Sequence, residues 1–314
     1  MANTIGFGQG AVNNTNGFGK APTNNTIDFG EVCADSWSPE TNLTGASAAA
    51  LLLDTYSGAA VAYSLRKLRS GYSGSAIRVR RSSDNTEQDI GFTNNELDTT
   101  SLTSFVGAND GYITTIYDQS GNSNNLTQAT ASNQGVIVSS GTINTVNSKP
   151  CINLSASPVY YEALSSLSGN SKSFFMATKN NGADSGFYHN LFIISSSVST
   201  TGNFCQLYSS NASSSLVLNF SVAGLDINTS QAWTSQSLLS GIKSESGSSS
   251  SLYKNGTSIG TGTGTQSLES NLFLNRYANN YANQQLQEFV IYDTDETTNR
   301  TGIETNINNF YSIY

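Results

Sequence analysis

The sequence predicts a mainly β protein, a β-sandwich or jelly roll with a few short helices, preceded by an extended N-terminal repeat segment. Three observations predict it. From Val136 onward the chain reads as short apolar runs of strand length, separated by Gly, Ser and Asn turns. Charged residues make up only 11% of the 314, while Ser, Thr, Asn and Gly abound, which suits a loop-rich β surface better than a helical enzyme. Lys254-Asn-Gly256, set between two such runs, is a strong two-residue hairpin signal, because Asn and Gly both accept positive φ.

The chain opens on an eleven-residue repeat. Thr4-Ile-Gly-Phe-Gly8 recurs as Thr15-Asn-Gly-Phe-Gly19 and as Thr26-Ile-Asp-Phe-Gly30. Each unit carries one aromatic between small residues, too little to offset its own ordering entropy. Phe7, Phe18 and Phe29 therefore read as attachment anchors on an extended segment, residues 1–45, with a sandwich domain over 46–314.

After Cys33 to Gly45, a linker or first strand containing Trp37 and Pro39, comes the apolar run Ala46 to Leu53. Gly58 to Arg69 reads as the best helix of the chain, with Val61, Leu65 and Leu68 on one face and Gly71 as its C-terminal cap. Ala76 to Arg81 alternates with period two and predicts a strand. Asp89–Phe92 is a short strand, and Leu97–Phe105 holds a helical turn. Tyr112–Tyr117 is a strand that breaks at Asp118-Gln-Ser-Gly-Asn122, a turn in which Asp and Asn bond their own backbone.

Further strands are predicted at Gly135–Ser139, Pro150–Leu154, Ser173–Thr178, His189–Ile194, Cys205–Tyr208 and Ser215–Phe220. Others follow at Ala232–Leu239, Ser251–Lys254, Leu272–Leu274 and Gln287–Tyr292. In Glu296–Tyr314, Ile303, Ile307 and Phe310 recur at helical spacing and predict a closing helix.

Several function classes are disfavoured. A net charge of −8 argues against nucleic acid. Cys33, Cys151 and Cys205 form no metal or disulfide pattern and read as free thiols. A single histidine, His189, leaves little room for Ser-His-Asp or His-metal chemistry. No apolar run approaches the roughly 18 residues of a membrane span. The N-terminus shows no secretory signal. No cofactor is expected. Calcium is compatible with such a fold, but no dense Asp motif supports it.

Leu252-Tyr-Lys-Asn-Gly-Thr-Ser-Ile-Gly260, followed by Leu272-Phe-Leu274 and Leu286–Tyr292, resembles the closing hairpin and strands of concanavalin A-like lectin/glucanase sandwiches. Ala62–Gly74, Arg78–Asp84, Asp89-Ile90, Ile116–Gly121 and Leu126–Ala129 resemble the first half of family 54 α-L-arabinofuranosidase catalytic domains. The resemblance implies a concanavalin A-like jelly-roll β-sandwich and a sugar-directed site. In that family the nucleophile is a Glu in an Asp-Leu-Glu-Asn-Gly-like segment, and the acid/base is an Asp in a Gly-Gly-Asp-Asn-like loop.

This chain departs from both motifs. Asn180–Gly186 holds Asp184 but no Glu, and the late loop Asn275–Ala282 carries amides where the acid is expected. The family's adjacent cysteine pair is absent too. Asn can neither protonate a leaving group nor serve as the carboxylate nucleophile. Asp118, Glu162, Asp184, Asp226 and Glu288 are scattered along the chain, with Glu288 expected to face solvent or pair with an Arg.

The expectation is therefore a non-catalytic protein. Tyr277, Asn279, Asn280 and Tyr281, with Asp118, are its candidate carbohydrate-binding residues, since aromatic faces pack on sugar rings while amides read hydroxyls. Asp118 is expected mainly to hold its turn. The N-terminal repeat is similar to leader segments of tailed-bacteriophage structural proteins. That likeness implies a virion fibre, appendage or capsid-decorating protein, homo-oligomeric, with virion proteins and cell-surface or environmental glycans as partners. The alternatives are an arabinofuranosidase-like glycoside hydrolase and a purely architectural domain.

Overall fold

The structure is a computed structural model. It describes residues 50–155, 158–163, 167, 171–181, 188–195, 204–210, 215–221, 225–243, 249–263, 271–276 and 281–314. The N-terminal repeat with Phe7, Phe18 and Phe29, and Cys33, lie outside the described residues.

The first part runs α1 (Leu52–Thr55), β1 (Ala59–Ser64), β2 (Ile77–Arg81), β3 (Glu87–Ile90), β4 (Phe92–Thr93), β5 (Glu96–Leu97), α2 (Thr99–Val106), β6 (Gly111–Ile116) and β7 (Leu126–Thr127). Next come β8 (Val136–Ser139), β9 (Thr142–Ile143), β10 (Thr145–Val146), β11 (Lys149–Pro150), β12 (Ile152–Asn153), β13 (Tyr161–Ala163), β14 (Lys172–Asn180) and β15 (Tyr188–Ser195). The last part holds β16 (Phe204–Ser210), β17 (Ser215–Ser221), β18 (Leu225–Ala232), β19 (Ser237–Lys243), β20 (Ser249–Lys254), β21 (Thr257–Thr263), β22 (Asn271–Leu274), β23 (Gln284–Tyr292) and α3 (Arg300–Tyr311).

All pairings are antiparallel. A front sheet runs β3-β2-β6-β7-β13-β22-β15-β16-β17-β18. A back sheet runs β1-β23-β14-β19-β20-β21. β12 joins them, pairing with β23 on one side and with β8, a neighbour of β6, on the other. The main core lies between the sheets. Ile77, Ile116, Tyr161, Phe192 and Leu207 enter it from the front, and Val61, Phe174, Met176, Phe289 and Ile291 from the back.

A second core lies behind the back sheet. There Phe175, Ala177, Leu238, Val290 and Tyr292 pack under Leu52, Ile303, Ile307 and Tyr311 of the helices. The central back strands are thus buried on both faces, which is why β14 and β23 read as unbroken apolar runs rather than alternating ones.

This double burial corrects the helix expected over Gly58–Arg69. The segment is β1 and its continuation. Val61 and Leu65 enter the first core, while Ala62 and Leu68 enter the second. A strand apolar on both faces has no period of two and cannot be told from a buried helix by pattern. A second correction concerns Ala232–Leu239. β18 ends at Ala232, a turn carrying the buried Trp233 follows, and β19 starts at Ser237.

Other expected elements are present. Asp98 caps α2 by accepting from the Ser101 amide at 2.9 Å. Asn255 (φ 51°) and Gly256 (φ 75°) make the hairpin turn between β20 and β21. Cys151 and Cys205 are free and buried, and burial pushes both thiols up to about 12. Among the described residues no group of three His, Cys, Asp or Glu is placed to hold a metal, and no helix is long and apolar enough to cross a membrane.

Candidate functional site

The face of the front sheet turned away from the main core carries a row of side chains set by strand register. Arg78 pairs with Thr115, Thr115 with Thr127, and Thr127 with Glu162. Glu162 pairs with Phe273, Phe273 with Ile193, and Ile193 with Gln206. Residues paired across antiparallel strands share a face, so one line of chemistry crosses seven adjacent strands. Its floor is apolar at Phe273 and Ile193 and polar on either side.

At the Glu162 position the row opens into a cavity of about 440 Å³, lined by Asn125, Thr127, Gln128, Ala129, Tyr160 and Glu162. The Tyr160 ring stacks on Tyr281, with centroids 6.1 Å apart and planes at 26°. The Arg276 guanidinium lies 4.2 Å from the centre of the Tyr160 ring and donates from Nη1 to Glu162 Oε1 at 2.8 Å. A cation over an aromatic face, tied to a carboxylate, fixes all three groups without a helix or metal.

The start of the late loop is pinned from below. Asn275 is wholly buried with φ 64°. Its Nδ2 donates to the carbonyls of Leu154 and Val159 at 3.1 and 2.8 Å, and its Oδ1 accepts from Gln284 Nε2 at 2.9 Å. Asn275 therefore serves as a bracket that aims Arg276 at Tyr160. Gln128 is also committed to structure, donating to the Tyr160 carbonyl at 2.8 Å and accepting from the Thr130 amide at 2.9 Å.

Of the residues singled out in the sequence, Tyr281 stands beside this cleft. Tyr277, Asn279 and Asn280 lie outside the described residues. Asp118 is elsewhere and fully occupied. Its Oδ1 accepts from the amides of Ala62 and Ser120 at 2.8 and 2.9 Å, and its Oδ2 from Ser120 Oγ and the Asn124 amide at 2.7 and 3.0 Å. Burial and, secondarily, the Asp118 charge hold the neighbouring Tyr63 phenol well above its usual range.

Glu288 does pair with an arginine, Arg66, but faces the second core rather than solvent. Tyr160, Glu162 and Arg276 were the residues sequence reading missed as a group. Their only sequence signal is the Tyr160-Tyr-Glu162 step opposite the late loop, legible once the register is known.

The carboxylates can be tested against glycosidase geometry. Retaining enzymes place two carboxyls about 5 Å apart and inverting ones about 6.5–9.5 Å apart. Glu162 is the one acid lining the cleft among the described residues. Asp226, on β18, occupies a register position five strand spacings from Glu162, about 24 Å at roughly 4.8 Å per strand.

Comparison with known proteins now bears on the family. Residues 54–237, more than half of the chain, match the family model for the catalytic domain of α-L-arabinofuranosidase B. Among solved structures, a Glu-to-Gln mutant of a GH54 α-L-arabinofuranosidase soaked with 4-nitrophenyl α-L-arabinofuranoside matches with a TM-score of 0.65 at 17% identity. A GH54 α-L-arabinofuranosidase soaked with a cyclic sulfate inhibitor matches with a TM-score of 0.60 at 18% identity. An arabinofuranosidase complexed with arabinofuranosyl-α-1,2-xylobiose matches with 0.60 at 19%. Each match covers 82% of this chain and 64% of the other. No curated protein matches. The shared jelly-roll sandwich and the matched segment place this chain in the α-L-arabinofuranosidase B catalytic-domain family.

Proposed function

We propose that the protein recognises arabinofuranosyl-bearing polysaccharide at the Tyr160 cleft. The observation that carries this reading is the Tyr160–Arg276–Glu162 group with Tyr281 stacked against it. Tyrosine faces offer apolar area to the C–H side of a sugar ring, and the carboxylate, guanidinium and Asn125 amide offer hydroxyl partners. Family membership supports the glycan-directed role. It also backs a glycoside-hydrolase reading better than a virion appendage, which rests on the N-terminal repeat alone and stays a proposal.

Hydrolysis of α-L-arabinofuranosides is the second reading, favoured by the family match. It requires a second carboxyl near Glu162, and the described part of the cleft offers none. Sugar recognition at the cleft is what the described residues support.

The test is calorimetric titration with arabinan and arabinoxylan oligosaccharides, run beside release of 4-nitrophenol from its α-L-arabinofuranoside. Wild type should bind and Tyr160→Ala should weaken binding at least tenfold, with no turnover. Turnover abolished by Glu162→Gln would establish the hydrolase instead. Absence of binding to every arabinose-bearing glycan would sink both readings.

A further inference from the structure

Further along the same face, two buried amides are left unpaired. Asn190 of β15 is fully buried, and neither its Nδ2 nor its Oδ1 has a hydrogen-bond partner. Gln206 of β16 is 7% exposed, and its Oε1 has none either. Native proteins pair nearly all such groups, so two neighbouring exceptions call for a partner from outside the fold.

Their placement follows from the ladder. Asn190 stands opposite Tyr208, and Gln206 opposite Ile193. Tyr208 and Gln206 are two residues apart on one strand and share a face, so Asn190 and Gln206 are diagonal neighbours, their backbone positions about 7–8 Å apart. A bulge between Asn190 and Phe192 breaks the alternation there, a device that re-aims a side chain. Beside them lie Ile193 and Phe273, buried and in register with each other, while their sequence neighbours Phe192, Ile194, Leu272 and Leu274 fill the main core.

The resulting chemistry is two free carbonyl acceptors, one free amide donor group and an apolar floor. It complements an uncharged ring with adjacent hydroxyls. Each hydroxyl can donate to an amide oxygen, one can accept from Asn190 Nδ2, and the C–H face rests on Ile193 and Phe273. An anionic sugar gains no ion pair from these four residues.

We propose that Asn190 and Gln206 read the hydroxyls of a second sugar subsite. It lies three strand spacings from Glu162, about 14 Å along the row. The Tyr160 cleft then holds one residue of a neutral oligosaccharide, and the amide pair holds another. Asn190 is wholly buried and Gln206 nearly so, so sugar binding here requires the site to open. The proposal rests on the glycan-binding reading of the Tyr160 cleft.

The experiment compares wild type, Gln206→Met and Asn190→Leu by thermal unfolding and by titration with two neutral ligands. One is methyl α-L-arabinofuranoside, which fills one subsite. The other is an arabinofuranosyl-substituted xylotetraose, which spans both. The variants should keep or raise the Tm, because unpaired buried polar atoms are removed. Affinity for the oligosaccharide should fall at least tenfold, and affinity for the monosaccharide should hold.

A lowered Tm with unchanged oligosaccharide affinity in either folded variant would overturn the subsite and assign the amides to an internal water. Wild type that binds neither ligand would sink the Tyr160 reading and the subsite together. Wild type that binds both equally well would sink the subsite alone. Using two variants on different strands keeps the comparison readable if one fails to fold.

Discussion

Arg66 grips Glu288 through two parallel bonds, Nε to Oε2 at 2.7 Å and Nη2 to Oε1 at 2.9 Å, with the carboxylate wholly buried. Ser64 Oγ donates to the same Oε2 at 2.8 Å, and the Tyr311 hydroxyl lies 3.3 Å from it. Burial pulls the Arg66 pKa down, and Glu288 together with Tyr311 more than offsets it. The pair joins β1, β23 and α3 at one point. Removing one partner strands the other charge in a dry site. Glu288→Ala should therefore cost about 3–5 kcal/mol in urea unfolding. The double variant Arg66→Met with Glu288→Met should recover most of that loss, and a double variant no better than Glu288→Ala alone would contradict the account.

Asp118 is a brace for its turn. Its carboxylate accepts from three backbone amides and one hydroxyl, tying the turn after β6 to Ala62 on β1. Asp118→Asn turns one acceptor into a donor facing donors. With one or two amides left unpaired, the loss should be about 3 kcal/mol in chemical denaturation. Sugar binding by the folded variant should match wild type. A large drop in affinity at full folding would make Asp118 a ligand residue.

Alkaline pH should unfold the protein through its tyrosines. Burial holds the phenols of Tyr63, Tyr161, Tyr292 and Tyr311 above their usual value. Tyr117 is pushed up to about 12, by burial first and then by its bond to Asp89. A folded value above the unfolded one means stability that is full below the ordinary phenol value of 10.0 and is lost as pH rises through the folded values. Circular dichroism and phenolate absorbance should change together between about pH 10 and 12. Phenolate formation across this set without loss of structure would refute the assignment.

Gly241 has no room for a side chain. A Cβ there would run into Cε1 of Phe174, its cross-strand partner. Phe174 is itself wedged edge-on against Phe192, with centroids 4.9 Å apart. Gly241→Ala should cost about 1–3 kcal/mol, read as a lowered midpoint in urea. An unchanged midpoint would show that the Phe174 ring moves freely.

Much of the fold is legible in the sequence because most of its signals are local. The Asn255-Gly256 turn, the alternation of β2, the apolar runs of β14 and β23 and the 3.6 spacing of α3 each depend on neighbours within a few residues. The family likeness around Tyr117-Asp118-Gln119 is legible for the same reason. The segment over Gly58–Arg69 misleads because β1 is buried on both faces, and periodicity carries no information once both faces are apolar. The candidate site is largely illegible. Glu162, Phe273, Ile193 and Gln206 are scattered over the chain and become neighbours only through strand register. Whether an acid sits by Arg66, by a tyrosine cleft or in solvent is set by which strands pair. By itself the sequence determined most of the later strands, the hairpin turn, the closing helix and the absence of the family's two acid motifs. Only the tertiary structure decided that Tyr160, Arg276 and Glu162 form one cleft and that Glu288 is buried, because these contacts are made across the sheets by residues far apart in the chain.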